Sequence, residues 1–298
     1  MNFDQLQKVT LKNGETYSYR EAGSGDDILI LLHGNMTSSK HWDVLVDKLY
    51  SDFKIIAPDL RGFGGSSYNM EISSLKDFSE DLKEFVDALN IKSFYLGGWS
   101  TGGGVAMQFS ADYKEYVKKL ILVESVGIQG YPILKKNELG QPIQGSLLKT
   151  KEEIAADPVQ VAPVLQALKT KNKEFYRMVW NASIYTHNKP EPSKYEEYLE
   201  DMLTQRNLVD VDYALATFNI SNNFNGITEG SGAVNSISCP VLIFQGDRDY
   251  VVPRYMGEGI KEKLPQSELV ILNDCGHSPL VDCLETLSEK IKDFLNNN

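Results

Sequence analysis

Ser93-Phe94-Tyr95-Leu96-Gly97-Gly98-Trp99-Ser100-Thr101-Gly102-Gly103-Gly104-Val105 runs from a short apolar strand pattern, through a glycine-flanked serine, straight into a helical pattern. Its centre, Gly98-Trp99-Ser100-Thr101-Gly102, reads G-x-S-x-G. In the strand-to-helix context that spacing marks a nucleophile elbow, a sharp turn that presents a serine oxygen at its tip. A turn this tight strains the serine backbone and needs small flanks. Gly98 and Gly102 supply them, and Gly97, Gly103 and Gly104 let the following helix pack close.

A serine hydroxyl needs a base beside it, and the base needs an orienting group. With a serine elbow the partners follow in the order Asp or Glu, then His. Of the four histidines, His33, His41, His187 and His277, only the last falls in the right place. It follows the final strand pattern Leu269–Leu272, within Asn273-Asp274-Cys275-Gly276-His277-Ser278-Pro279, where Gly and Pro mark an exposed loop. Asp249 is the expected orienting acid, in the turn Gly246-Asp247-Arg248-Asp249 that closes the apolar run Val241–Gln245. Asp247 is expected to brace that turn. Glu124, which ends the strand pattern Leu120–Val123, is the rival acid.

Acyl transfer also needs donors for the developing oxyanion. The residue after the nucleophile, Thr101, supplies one backbone N–H. The second is expected from Asn35, in the loop His33-Gly34-Asn35-Met36 after the strand pattern Ile28–Leu32. There Gly34 permits a sharp turn and His33 braces the loop.

Together these pieces resemble the α/β-hydrolase family from about residue 8 onward. The resemblance also draws on Pro58-Asp59-Leu60-Arg61-Gly62-Phe63-Gly64-Gly65-Ser66 and on Val252-Pro253. It implies Ser100, Asp249 and His277 as a catalytic triad, and Asn35 with Thr101 as the oxyanion hole. The loop from His33 to Ser39 is similar to that of haloalkane dehalogenases, but those enzymes need a carboxylate where this chain has Ser100. The segment through Glu124-Ser125-Val126-Gly127 is similar to intracellular polyhydroxybutyrate depolymerases, and to enol-lactonase-like and haloperoxidase-like esterases.

Working outward, strand-like runs near 28–32, 54–57, 94–97, 119–123, 241–245 and 269–272 alternate with helical stretches such as 75–89, which predicts a mostly parallel sheet. Extended segments near 7–11 and 15–20 flank Asn13-Gly14 and predict an N-terminal hairpin. With these, the expectation is an α/β-hydrolase fold: an eight-stranded sheet flanked by helices, with an inserted helical cap. The core is assigned to 1–126 and 238–298. The cap is assigned to 127–237, with helices near 159–169, 172–186, 193–206 and 209–218. Met36 and Trp99 from the core, with Trp180, Tyr185 and Phe218 from the cap, are assigned to an apolar acyl pocket.

The net charge of −11, without a basic run, argues against nucleic acid or an anionic membrane as partner. No leader pattern opens the sequence, and the three cysteines have no metal-ligand spacing, so they read as reduced thiols in a cytoplasmic protein. The expected partner is a small-molecule ester-like substrate, met by a monomer or homodimer without metal or cofactor. The expected activity is hydrolysis of a small or medium apolar ester, lactone or thioester. The same residues would also serve a perhydrolase, or a ligand receptor or stress-signalling regulator with little turnover.

Overall fold

A computed structural model describes residues 3–297. The first strands are β1 (Gln7–Thr10), β2 (Thr16–Ala22) and β3 (Ile28–Leu32), followed by helix α1 (Asp43–Leu49) and β4 (Lys54–Pro58). Next come α2 (Leu75–Ala88), β5 (Phe94–Trp99), α3 (Thr101–Asp112) and β6 (Val117–Val123). A long insertion holds a hairpin, β7 (Leu134–Lys136) and β8 (Pro142–Leu147), and five helices. These are α4 (Lys151–Ala155), α5 (Ala162–Thr170), α6 (Lys173–Ser183), α7 (Pro192–Met202) and α8 (Leu208–Thr217). The chain closes with β9 (Val241–Gly246), α9 (Arg254–Lys263), β10 (Ser267–Leu272), α10 (Pro279–Asp282) and α11 (Leu284–Asn296).

Eight strands form one sheet in the order β1-β2-β4-β3-β5-β6-β9-β10. β2 runs antiparallel to both β1 and β4, and every other pairing is parallel. The near-continuous apolar runs have a simple cause: the central strands are covered on both faces. Leu29, Leu31, Ile55, Ile121 and Phe244 pack with Leu45 of α1 and Leu287 of α11. Their neighbours Ile30, Ile56, Leu120, Leu122 and Ile243 point the other way, into Phe78 of α2, Val105 of α3 and Ile260 of α9. The predicted N-terminal hairpin forms, with Gln7 opposite Tyr19 and Gly14 at φ +88° in its turn.

Four of the predicted helices of the insertion appear, offset by up to four residues at their ends. The β7–β8 hairpin was not anticipated. Its turn carries a local signal nonetheless: Asn137 Oδ1 accepts from the N–H groups of Leu139 and Gln141, and Gly140 adopts φ +75°. The insertion has no apolar core of its own. Trp180, Tyr198 and Leu199 belong to the same cluster as Leu29 and Phe244, and Val234 and Ile237 pack with the α3 side chains Val105 and Phe109. No helix among the described residues is long and apolar enough to cross a membrane.

Candidate active site

The turn between β5 and α3 is as tight as its glycines imply. Ser100 sits at φ 55° and ψ −117°, outside the usual wells for a residue with a Cβ. Its N–H donates to Val123 O at 2.9 Å, and its carbonyl accepts from Gly103 N at 3.0 Å. A Cβ on Gly98 would lie 2.2 Å from Gly102 O, and one on Gly102 would lie 2.3 Å from Leu32 O. Backbone therefore packs on backbone at both flanks, and only glycine fits. Met36 (φ 59°) and Glu124 (φ 44°) carry similar strain just beyond the ends of β3 and β6. Three strained residues thus line one edge of the sheet, where strain is a mark of functional geometry.

His277 and Asp249 meet at that edge, brought there by the loops after β10 and β9. The His277 Nδ1–H donates to Asp249 Oδ2 at 2.7 Å, and both side chains are essentially removed from solvent. The other oxygen, Oδ1, accepts from the N–H groups of Val251 at 2.7 Å and Val252 at 2.9 Å. Burial opposes the charge on Asp249, but the facing imidazole and these hydrogen bonds hold its carboxyl below the ordinary range. The His277 carbonyl accepts from Trp99 Nε1 at 2.8 Å, which pins the histidine loop to the elbow. Ser100 and His277 line one cavity with no direct hydrogen bond between them. Such bonds commonly tighten only in the reacting complex.

Glu124 does not reach the histidine. Its carboxyl lies fully buried, accepts from Gly246 N at 2.7 and 2.9 Å and from Gln245 Nε2 at 2.9 Å, and is hydrogen-bonded to Asp249. Burial, then the Asp249 charge, pushes Glu124 well above the carboxylate range. Glu124 therefore holds a proton and braces the ionised Asp249. Asp247 accepts from Cys275 N at 3.1 Å, tying the β9 loop to the β10 loop.

On the opposite wall, Gly34 packs against the elbow so closely that a Cβ there would stand 3.2 Å from Ser100 Cβ. His33 is wholly buried; its Nδ1–H donates to Gly34 O at 2.8 Å and its Nε2 accepts from Leu60 N at 2.9 Å. Burial lowers its pKa to about 4, so it spans the loop as a neutral imidazole. The Asn35 side chain is clamped: Oδ1 accepts from Met36 N and Gln205 Nε2, and Nδ2 donates to Asp212 Oδ1 at 3.0 Å. Asn35 and Thr101 both line the cavity beside Ser100, and neither N–H donates to another described residue.

The cavity measures about 340 Å³. Met36, Trp99 and Trp180 line it, as expected from the sequence. Two assignments need correction. Tyr185 packs on Trp180 and faces a separate cavity of about 210 Å³ on the far side of Trp99. Phe218 turns inward against the α3 helix, 3.7 Å from the Cβ position of Gly104. Aromatic identity and helical spacing do not say which face of an insertion helix turns toward the site. The actual roof includes Val164, Val179, Leu215 and Asp212, with Tyr131, Ile133 and Val251 on the sides.

Asp212 was missed because a lone acid in an α8 pattern reads as a solvated position. Burial raises its pKa from 3.8 to about 7. The raised value means that the folded chain holds the proton which the unfolded chain releases near pH 3.8. Stability from this group is complete below that pH and is lost as pH rises through about 7. Asp212→Asn should therefore melt a few degrees above the parent at about pH 8, with the gap closing toward pH 4. Thermal melts across that range check it; a constant offset would contradict the shift.

A model of the α/β hydrolase fold family matches residues 27–282. The chain belongs to that family. Lipase 3 of Moraxella sp. (strain TA144) is 25% identical over 293 residues, covering 97% of this chain and 84% of that one. The pimeloyl-[acyl-carrier protein] methyl ester esterase of Nitrosomonas europaea is 25% identical over 263 residues, covering 87% and 91% of the two chains. Among solved structures, a thermophilic esterase from Thermogutta terrifontis superposes with a TM-score of 0.72 at 21% identity, covering 98% of each chain.

Proposed function

We propose that this chain is a serine hydrolase that cleaves small or medium apolar carboxylic esters, lactones or thioesters through an acyl-enzyme on Ser100. The observation that carries the reading is the 2.7 Å pairing of His277 with a buried Asp249, at a cavity shared with the strained Ser100. Relatives described as lipases and esterases support it.

In this mechanism His277 Nε2 takes the Ser100 proton as Oγ attacks the substrate carbonyl. Asp249 holds the imidazole with Nε2 toward the serine and stabilises the imidazolium. The N–H groups of Asn35 and Thr101 receive the oxyanion. His277 then passes its proton to the leaving alcohol or thiol. Water, deprotonated by the same imidazole, releases the acyl group.

Residues 127–237 act as a cap that roofs the acyl pocket. At about 340 Å³ the cavity lies near the small end for ligand sites, so short to medium acyl chains are favoured. Hydrolysis of p-nitrophenyl acetate through dodecanoate should peak at the shorter chains. A peak at dodecanoate would contradict the pocket assignment, and the absence of turnover on all of them would contradict the ester hydrolase.

A further inference from the structure

Apart from His277, the active-site cavity is lined by one ionisable acid or base of the Asp, Glu, Lys, Arg or His type, Asp212 on α8. It shares the cavity lining with Val164, Val179, Leu215 and Trp180, and its charge acts on the nearby Tyr131 and Tyr176 hydroxyls. One oxygen is used, since Oδ1 accepts from Asn35 Nδ2 at 3.0 Å. The other, Oδ2, has no hydrogen-bond partner among the described residues. Asp212 is half-buried in the cavity wall, so this oxygen is open to whatever occupies the cavity. Its place is also specific. Asp212 is bonded to the side chain of Asn35, the proposed oxyanion residue, and lines the same cavity as Ser100, within reach of a group a few bonds from the carbonyl of an ester bound there.

We infer that Asp212 is a specificity residue that accepts a hydrogen bond from a substrate hydroxyl a few bonds from the scissile carbonyl. The favoured substrates are then hydroxylated esters, on the acyl or the alcohol side, rather than plain alkyl esters. Esters bearing a second carboxylate are disfavoured, because the ionised Asp212 repels them. Its raised pKa, about 7, agrees with an acid kept in an apolar wall. This inference rests on the serine hydrolase reading above.

The test compares matched pairs at about pH 8, where Asp212 is ionised: p-nitrophenyl 3-hydroxybutanoate against butanoate, and 2-hydroxyethyl against ethyl butanoate. In the parent, kcat/KM should favour the hydroxylated member of at least one pair by about tenfold or more, carried mainly by KM. Asp212→Leu should bring that ratio to about one. Asp212→Asn, which keeps the shape and the bond to Asn35 but turns an N–H into the cavity, should lower it as well.

Gln205→Met serves as the control, because it loosens Asn35 from the other side without touching the cavity acceptor. It should slow both members of a pair alike and leave the ratio as in the parent. A parent ratio near one in both pairs overturns the role of Asp212 while leaving the hydrolase intact. So does a ratio that survives Asp212→Leu, or one that falls equally in Gln205→Met. Absence of turnover on every ester overturns both readings together.

Discussion

Ser100→Ala should reduce ester turnover by about 10⁶, to the level left by binding and the oxyanion donors alone. The loss is large because, in the proposed mechanism, the acyl bond forms on the serine oxygen and alanine offers no replacement. The fold should not respond. Alanine at φ 55° meets the same backbone strain as serine, and Ser100 Oγ makes no capping hydrogen bond to α3 whose loss would weaken the turn. Kinetics on p-nitrophenyl butanoate and a thermal melt, done together, check both halves. A variant that keeps even a hundredth of the parent rate with an unchanged melting temperature would place the nucleophile elsewhere.

Asp249→Asn carries the second largest effect, about 10⁴ in kcat. With an amide in place of Oδ2, an N–H faces His277 Nδ1, and the imidazole takes the tautomer that points a proton at the serine instead of a lone pair. Glu124→Gln is the informative contrast. Glu124 already holds a proton toward Asp249 and accepts from Gly246 N and Gln245 Nε2, and a glutamine amide repeats both roles. It should cost less than about tenfold. Steady-state kinetics of the two variants decide between the acids, and the reverse ranking would transfer the orienting role to Glu124.

Much of this site was legible in the sequence because backbone sterics wrote it there. Gly98 and Gly102 are glycine because Gly102 O and Leu32 O occupy the space a Cβ would need, so the elbow advertises itself as a glycine pattern. The parallel strands were readable for a related reason: burial on both faces makes their apolar runs continuous. The choice of Asp249 over Glu124 rested on the turn after one strand pattern alone. Both acids end adjacent strands of one edge, and only the loop after β9 brings a carboxylate to 2.7 Å from His277. The roof was the least legible part. Val179 lies on α6 and Tyr185 two residues past its end, yet the valine faces the active-site cavity and the tyrosine does not. That outcome depends on how α6 lies against α5 and α7, which no local pattern encodes. Asp212 lay hidden because its partner, Asn35, is 177 residues away in the chain.

The most direct test of the central claim is covalent. The parent protein is treated with an alkyl p-nitrophenyl phosphonate, digested, and mapped by peptide mass. The account predicts one phosphonyl group per chain, on Ser100, with activity lost in proportion to labelling and no label in Ser100→Ala. Esterase activity that persists after full labelling of Ser100, or a label on another residue that tracks the loss, would contradict it.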